Sequence, residues 1–557
     1  MEPESEILAC GYISFLSLGE LESSEFLAES KTFVRKASGL VREVSGFDVL
    51  AYNMFMISIG YTLFIVLYWI SYPGASLELA IVITTIVSVF QGLTYALLAT
   101  VYPRSGGDYV YITRIIHPTL GFVMSWNFFV WMLFYLGLNA GMLGFQGLAP
   151  MLAGIGFVTN QPNLISAAQW AGTPSAYFTI GIVSIVFYGI LLASGMKNYF
   201  TFQKIVFVIA LASAVVTIVL LATTSQETFI TRFNTFSKPF SNLDDTYHAI
   251  ITIATQNGYV PNSPFSLTES VLFFVWPWLA IGFCMTSASY SGEVKSVKKS
   301  QIFGMVGSVF VTGTLFFLLL FLGGRVFGYD FLGAATYLMF NNPSALPIPV
   351  SPWFNLFTAL LTDNPILSTF ILFGWFSWFL VLTATVYVFT SRTAFAWAMD
   401  GMLPSAFAKV SERYRTPINT IILSGIGGGL FLAGIAFTTW LGVLSGSLGI
   451  GFVFLLASIA AVIFPFTQKD FFRRSGIDWR VLGIPLISII GGINAITNIV
   501  AIYIMITDAR AGANSPTSLA MVVGFIAIGF VLFYGMKAYR KKQGVDVELT
   551  FRTIPME

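Results

Sequence analysis

Charge is scarce in this sequence: Asp, Glu, Lys and Arg together make up 10% of its 557 residues, where soluble domains carry about 25%. So few charges cannot clothe a surface that faces water, which excludes a soluble globular fold. Cysteine is almost absent. Cys10 and Cys284 are the only two. They lie far apart in sequence and Cys284 sits in an apolar run, so neither a disulfide framework nor a thiolate metal cluster can be built. The only histidines, His117 and His248, are too few and too separated for a metal centre. They are also too few for the nucleophile–base pairs of membrane-embedded acyltransferases or proteases. A net charge of +2 without a basic tract excludes a nucleic-acid partner. What is abundant is apolar: 56% hydrophobic residues and a mean hydropathy of +0.80. Such a chain has a lipid bilayer as its principal partner.

The first thirty residues carry seven glutamates (Glu2, Glu4, Glu6, Glu20, Glu22, Glu25 and Glu29) before the first lysine, Lys31. Their acidic front is wrong for a signal peptide, and the apolar patch ILACGYISFLSL is too short to span. Residues 1–46 are therefore expected to form a cytoplasmic tail. A bilayer core of ~30 Å needs about 20 apolar residues in helix. Twelve stretches qualify: 47–70, 77–101, 119–150, 176–195, 200–223, 268–290, 302–327, 368–391, 417–439, 441–466, 482–507 and 517–537. Patches around Trp170 and from Trp353 to Leu361 read as short interfacial helices.

Lysines and arginines orient the spans. With twelve spans, 24 of the 28 basic residues fall on one side and four on the other: Arg232, Lys238, Arg325 and Arg510. Both termini are thus expected in the cytoplasm. No N-x-S/T acceptor with x other than proline occurs, and the expected location is a prokaryotic plasma membrane.

In hydrocarbon an interrupted helix is tolerated only where it lines a cavity. Inverted-repeat transporters place such interruptions at matching positions of their two halves. Span 1 reads NMFMISIGYTLFIVLYW, with Ser58 and Gly60 at its middle. Span 6 reads VLFFVWPWLAIGFCMTSASYSG, with Pro277 and Gly282 bracketing its middle. A half-helix beginning near Tyr61 would aim free N–H groups at a carboxylate, and one ending near Leu279 would aim carbonyls at an ammonium group. The alternative is that both glycines simply allow close helix packing and Pro277 is a kink. On these residues alone both readings stand.

Three loop segments carry a family resemblance. YPRSGGDYVYITRIIHPTLGF (Tyr102 to Phe122), SGEVKSVKKSQ (Ser291 to Gln301) and SRTAFAWAMDGMLPSAFAKVSERYRTPINT (Ser391 to Thr420) resemble signatures of the amino acid–polyamine–organocation (APC) permease superfamily. The resemblance implies an all-α polytopic fold with broken helices 1 and 6. Its repeats would be residues 47–223 and 268–466, separated by an external loop at 224–267. Spans 11 and 12 (467–537) and a cytoplasmic tail (538–557) would follow. It implies no enzyme but a secondary transporter of amino acids working by alternating access, or a polyamine or organic-cation carrier, or a sensor that does not transport. Ile57, Ser58, Ile59, Gly60 and Tyr61 would bind substrate together with Trp278, Leu279, Ala280, Ile281 and Gly282. Ser58 stands where the family has a glycine. Trp278 matches an aromatic that covers substrate in some members. A span-5 lysine of proton-coupled relatives falls here on Ala210, counting from Gln203.

Ionisable groups near spans are functional suspects. Glu293 reads either as a solvated cap or as a gate that pairs with Arg104 or Lys204. Asp48, Asp108 and Asp400 with Arg392 invite the same gating reading, and Lys204 also reads as snorkelling to the interface. No resident cofactor or metal is expected. A coupling ion would be H+ or Na+, the latter on the hydroxyls of Thr383 and Thr385, which otherwise bond their own helix, and facilitated diffusion or exchange stays open beside both.

Overall fold

The computed structural model describes residues 39–439, 441, 445–544 and 546–551. The acidic part of the N-terminal tail lies outside them. Twelve helices are long and apolar enough to cross a membrane: Gly46–Trp69, Leu77–Val101, Pro118–Val158, Pro174–Ala193, Met196–Thr223, Leu267–Ser289, Val297–Phe327, Pro365–Met399, Ile418–Phe437, Ser447–Thr467, Leu486–Thr507 and Pro516–Lys542. These are spans 1 to 12, and every expected stretch has its helix.

Local chemistry sets the helix ends. Ser45 and Asp48 form a reciprocal capping box at the start of span 1: the Asp48 carboxylate accepts from the Ser45 amide at 2.9 Å, and Ser45 Oγ accepts from the Asp48 amide at 3.3 Å. Spans 3, 4, 8 and 12 each open on a proline, whose missing N–H costs nothing in a first turn. Spans 4 and 5 are joined by a tight turn at Gly195, whose φ of +114° suits glycine alone. Span 3 passes its expected end at 150 through π-helical turns, Leu143–Leu148, before finishing at Val158. Such turns cluster at functional sites.

Burial separates centre from rim. About 83% of the most apolar windows of spans 1 and 3 and 78% of that of span 6 are buried, against 17% for span 12. Spans 1, 3 and 6 therefore form the middle of the bundle. Small residues let helices meet there and around it: a Cβ on Gly304 would lie 2.2 Å from Val49 Cγ1, and one on Gly137 would lie 2.5 Å from the Leu432 amide nitrogen.

The stretch expected as a loop at 224–267 contains two helices, Gln226–Ser241 and Thr246–Gln256. The reason is visible in FITRFNTF: Phe229, Phe233 and Phe236 fall on one helical face and are buried. The Phe229 and Phe233 rings meet Phe331 and Phe357, and the Phe236 ring meets Phe157. The patches near Trp170 and Trp353 are likewise helical, at Pro162–Ala171 and Phe354–Ala359.

Candidate functional site

Span 1 leaves the α-helix at Ser58, which adopts φ +50° and ψ 116°. A positive φ is costly for any residue but glycine, about 1–2 kcal/mol, and this is the position where the resembled family has glycine. The chain continues as a short 3-10 turn, Ile59–Tyr61, and regains α-helix at Thr62. Ser58 Oγ accepts from the Gly60 amide at 3.2 Å, and the Thr62 hydroxyl donates to the Ile59 carbonyl at 2.7 Å. Local side chains thus satisfy part of the freed backbone.

Span 6 changes twice. Its first helix ends at Phe273 and a second runs Val275–Ile281. Pro277 has no N–H to give to the carbonyl of residue 273, which fits the first interruption. From Gly282 to Ser289 the winding is 3-10 over 8 residues, longer than the usual three or four. A polar chain supports it. Asn53 Oδ1 accepts from the Ser287 amide at 3.2 Å, Asn53 Nδ2 donates to Ser287 Oγ at 2.9 Å, and Ser287 Oγ donates to Gln301 Oε1 at 2.7 Å. Spans 1, 6 and 7 are thereby tied at the altered segment.

The two glycines play different parts. A Cβ on Gly60 would stand 2.8 Å from Phe379 Cζ of span 8, so Gly60 is needed for that close approach. On Gly282 it would meet nothing nearer than Phe454 at 3.7 Å. Gly282→Ala is therefore expected to insert and melt like the parent chain, with a change within about 0.5 kcal/mol. A detergent-solubilised thermal melt checks this; a large loss of stability would show that span 6 needs more backbone freedom there.

Between these segments lies a cavity of about 390 Å³. Tyr61, Leu279 and Ala280 line it, joined by Met56, Tyr135, Asn139, Trp276 and Phe283. The cavity extends to Ser445 and Gly512 in the connections after spans 9 and 11. Among the described residues no carboxylate or basic side chain lines it. Tyr61 donates to Asn139 Oδ1 at 3.4 Å, and the Tyr68 and Trp276 rings stack within 7° of parallel.

Other expected positions lie behind the wall. Ile57, Ile59 and Ile281 are buried in the apolar core. Trp278 packs edge-on against Phe454, centroids 5.9 Å apart, while Trp276 faces the cavity. Residues two apart on a helix point to nearly opposite sides, so only one tryptophan of the Trp-Pro-Trp run can reach the cavity.

Toward the N-terminal end of span 1, on the basic side, three buried carboxylates among the described residues are ion-paired. Asp48 meets Lys204 at 3.0 Å, Asp400 meets Arg114 at 2.6 Å, and Glu293 meets Arg392 at 2.9 Å. Glu293 is neither a solvated cap nor the partner of Arg104 or Lys204. Arg392 reaches it from span 8, and Lys204 is occupied by Asp48. Asp400 likewise takes Arg114 and the Tyr109 hydroxyl rather than Arg392. Lys204 keeps its stem half-exposed while its head holds Asp48. Gln203 donates to the Asp48 carbonyl at 3.2 Å, and Ala210 is buried. Arg104 sits in the turn after span 2, its amide on the Tyr102 carbonyl at 2.8 Å.

Asp108 differs from these. It is buried behind the Gly106–Gly107 turn, where the Gly106 amide bonds the Ser289 carbonyl at 2.8 Å. No cation lies within ion-pair distance of it among the described residues. Burial lifts its carboxyl from the ordinary aspartate range up to about 7.

At the expected sodium position the groups are largely occupied. The Thr385 hydroxyl donates to the Leu382 carbonyl at 2.7 Å, and the Thr385 carbonyl accepts from Tyr52 at 2.7 Å. The nearest further group is the Met56 thioether, 3.2 Å from the hydroxyl, a poor ligand for a hard cation. Thr383 Oγ1 is buried without a partner, and one hydroxyl does not make a site.

The family described as Amino acid permease matches residues 48–532. The methylthioribose transporter of Bacillus subtilis (strain 168) is 22% identical over 437 residues, covering 77% of this chain and 82% of that protein. With twelve apolar helices and a match across most of its length, the chain belongs to the amino acid permease family of the APC superfamily, and is a multi-pass membrane transporter rather than an enzyme.

Proposed function

We propose that the protein carries an α-amino acid with a large apolar or aromatic side chain by alternating access, binding it in the cavity between spans 1 and 6. The observation that carries this reading is the coincidence of that cavity with the segments where both spans lose α-helical winding. With no ionised side chain in the wall, a zwitterionic head would be met by helix-end dipoles, worth up to ~2 kcal/mol each when partly buried. Seven aromatic rings, among them Tyr61, Phe64, Tyr135 and Phe283, would take the side chain. Residues 47–223 and 268–466 would be the inverted repeats, and the basic side would face the cytoplasm of a prokaryotic cell.

The same uncharged wall favours a second reading, a neutral solute such as the thiosugar named for the Bacillus relative. Uptake of labelled leucine, phenylalanine and methylthioribose into proteoliposomes, with and without pH and sodium gradients, separates the two. Saturable amino-acid uptake is expected. Uptake of the thiosugar alone would overturn the first reading in favour of the second.

For coupling, Asp108 is the proton candidate. Tyr95 of span 2 and Tyr111 one turn along are the titratable groups facing it. A raised carboxyl pKa means that the closed basic side binds the proton more tightly than a solvated open form does. Closure is then favoured below pH ~4, the ordinary aspartate range, and that advantage is lost as pH rises through about 7. Asp108→Asn should flatten the pH dependence of transport between pH 5 and 8 while uptake persists, as a pH series in proteoliposomes would read out. An unchanged profile would remove Asp108 from coupling.

A further inference from the structure

On the side of the bundle opposite the basic loops, the connections are tied together by a different device. Arg510 lies in the short turn Ala509–Ala511 between spans 11 and 12. Asp508 holds it on its own turn: Asp508 Oδ1 accepts from the Arg510 amide and from Nε, both at 2.9 Å, and Oδ2 accepts from Nη2 at 2.9 Å. The remaining donor reaches outward. Nη1 donates to Glu269 Oε2 at the start of span 6, 2.6 Å away, and to the Ser71 carbonyl just past span 1, 3.1 Å away. The guanidinium also lies over the Tyr72 ring, 4.2 Å from its centroid.

This knot connects directly to the cavity. Tyr72 accepts from Trp276 Nε1 at 3.4 Å, and Trp276 stacks on Tyr68. Both Trp276 and Tyr68 line the cavity, and so does Gly512, two residues beyond Arg510. The turn between spans 1 and 2 is already joined to the start of span 6, since the Ser266 amide bonds the Gly74 carbonyl at 2.8 Å and the Ser76 amide bonds Ser270 Oγ at 2.9 Å. They can move as one piece, and Arg510 ties that piece to the 11–12 turn.

We infer that Arg510 is a latch, kept on its turn by Asp508, whose contacts to Glu269, Ser71 and Tyr72 hold the cavity shut on the side opposite the basic loops. The latch brings spans 11 and 12, which lie outside the two proposed repeats, into the transport cycle. The inference rests on the reading of the cavity as the solute path and of the basic side as cytoplasmic. Exposure supports the division of labour. Arg510 and Glu269 are 33% and 26% exposed, so water can replace the broken contact. Arg392 and Glu293 on the basic side are 0% and 2% exposed, and water does not reach them. Of these two pairs, the outer one opens at the smaller cost and weakens with salt.

The test uses the full chain in a Cys10→Ser, Cys284→Ala background with Phe64→Cys as the cavity reporter. A membrane-impermeant methanethiosulfonate is added outside reconstituted vesicles of uniform orientation. Arg510→Gln and Glu269→Gln are each expected to raise the labelling rate about tenfold, and their combination no further than either alone. High salt should raise the parent rate toward theirs. Arg510→Lys, which keeps the charge but loses the fork, should fall between. Labelling that stays at the parent rate in both glutamine variants, or effects that simply multiply in the double variant, would overturn the latch. Val260→Cys, on an exposed turn before span 6, reports sidedness separately. If it labels only from the lumen, the assigned orientation fails, and the same comparison with lumenal reagent still decides on Arg510.

Discussion

Replacing Arg392 with alanine is expected to cost about 3–5 kcal/mol of stability and to abolish transport. The guanidinium is fully buried and makes two contacts to one carboxylate, Nε to Glu293 Oε1 at 2.9 Å and Nη2 to Oε2 at 3.3 Å. Truncation leaves the Glu293 carboxylate buried with neither water nor cation. The damage spreads through the backbone, because the Glu293 carbonyl also accepts from the Glu43 and Val44 amides, each at 3.0 Å, ahead of span 1. One substitution thereby loosens spans 1, 6 and 8 on the basic side. Removing both charges together, as Glu293→Met with Arg392→Met, should restore most of the stability, since replacing a whole buried pair by apolar groups is often nearly neutral. It should not restore transport if the pair forms and breaks during the cycle. Thermal melts in detergent and uptake assays on the parent and both variants read the two effects apart. Equal melting of Arg392→Ala and the parent would show that the pair is not buried.

Gly60→Leu is expected to reduce uptake to background, a loss of at least about 100-fold, while the protein still inserts. The added Cβ would already stand 2.8 Å from Phe379 Cζ, and the branched end would have to enter a filled region, since Phe379 is 1% exposed. Overpacking of this kind costs about 1–3 kcal/mol, too little to unfold twelve spans. The strain is relieved by parting span 1 from span 8, which displaces Met56 and Tyr61 at the cavity wall. Opening the space should rescue it: Phe379→Ala added to Gly60→Ala is expected to recover uptake that Gly60→Ala alone loses. Wild-type uptake by Gly60→Leu would mean that solute does not pass this point.

The spans were legible because hydrocarbon thickness imposes a length and a composition that any window detects. Their ends were less so. Spans 3, 8 and 12 run on to Val158, Met399 and Lys542, where a helix leaves the apolar layer without ending, and hydropathy reports the layer rather than the helix. Ser58, Pro277 and Gly282 marked the altered winding by residue type, for reasons that are local. Which tryptophan faces the cavity is a matter of helical phase, and a two-residue shift exchanges Trp276 for Trp278. Partners of buried charges were out of reach altogether. Glu293 and Arg392 are 99 residues apart in sequence, and only the packing of spans 6 and 8 brings them together. Asn53, Ser287 and Gln301 carry no charge, so a reading of ionisable groups does not reach them. Buried amides and hydroxyls within spans are also costly unless paired, and that signal could have found them. The helix at Gln226–Ser241 is readable from its phenylalanine spacing, although its length and polarity fall short of a span.

In the proposed cycle, solute crosses through the cavity between spans 1 and 6. Ala280 faces that cavity from span 6, and Ala280→Trp would fill much of it without touching the ion pairs or the Gly60 contact. Purified parent and variant proteins in proteoliposomes, supplied with the labelled solute that the parent accumulates, give the most direct test. Saturable uptake by the parent and none by the variant are expected, with equal melting temperatures. Uptake by Ala280→Trp at the parent rate would place the path elsewhere in the bundle.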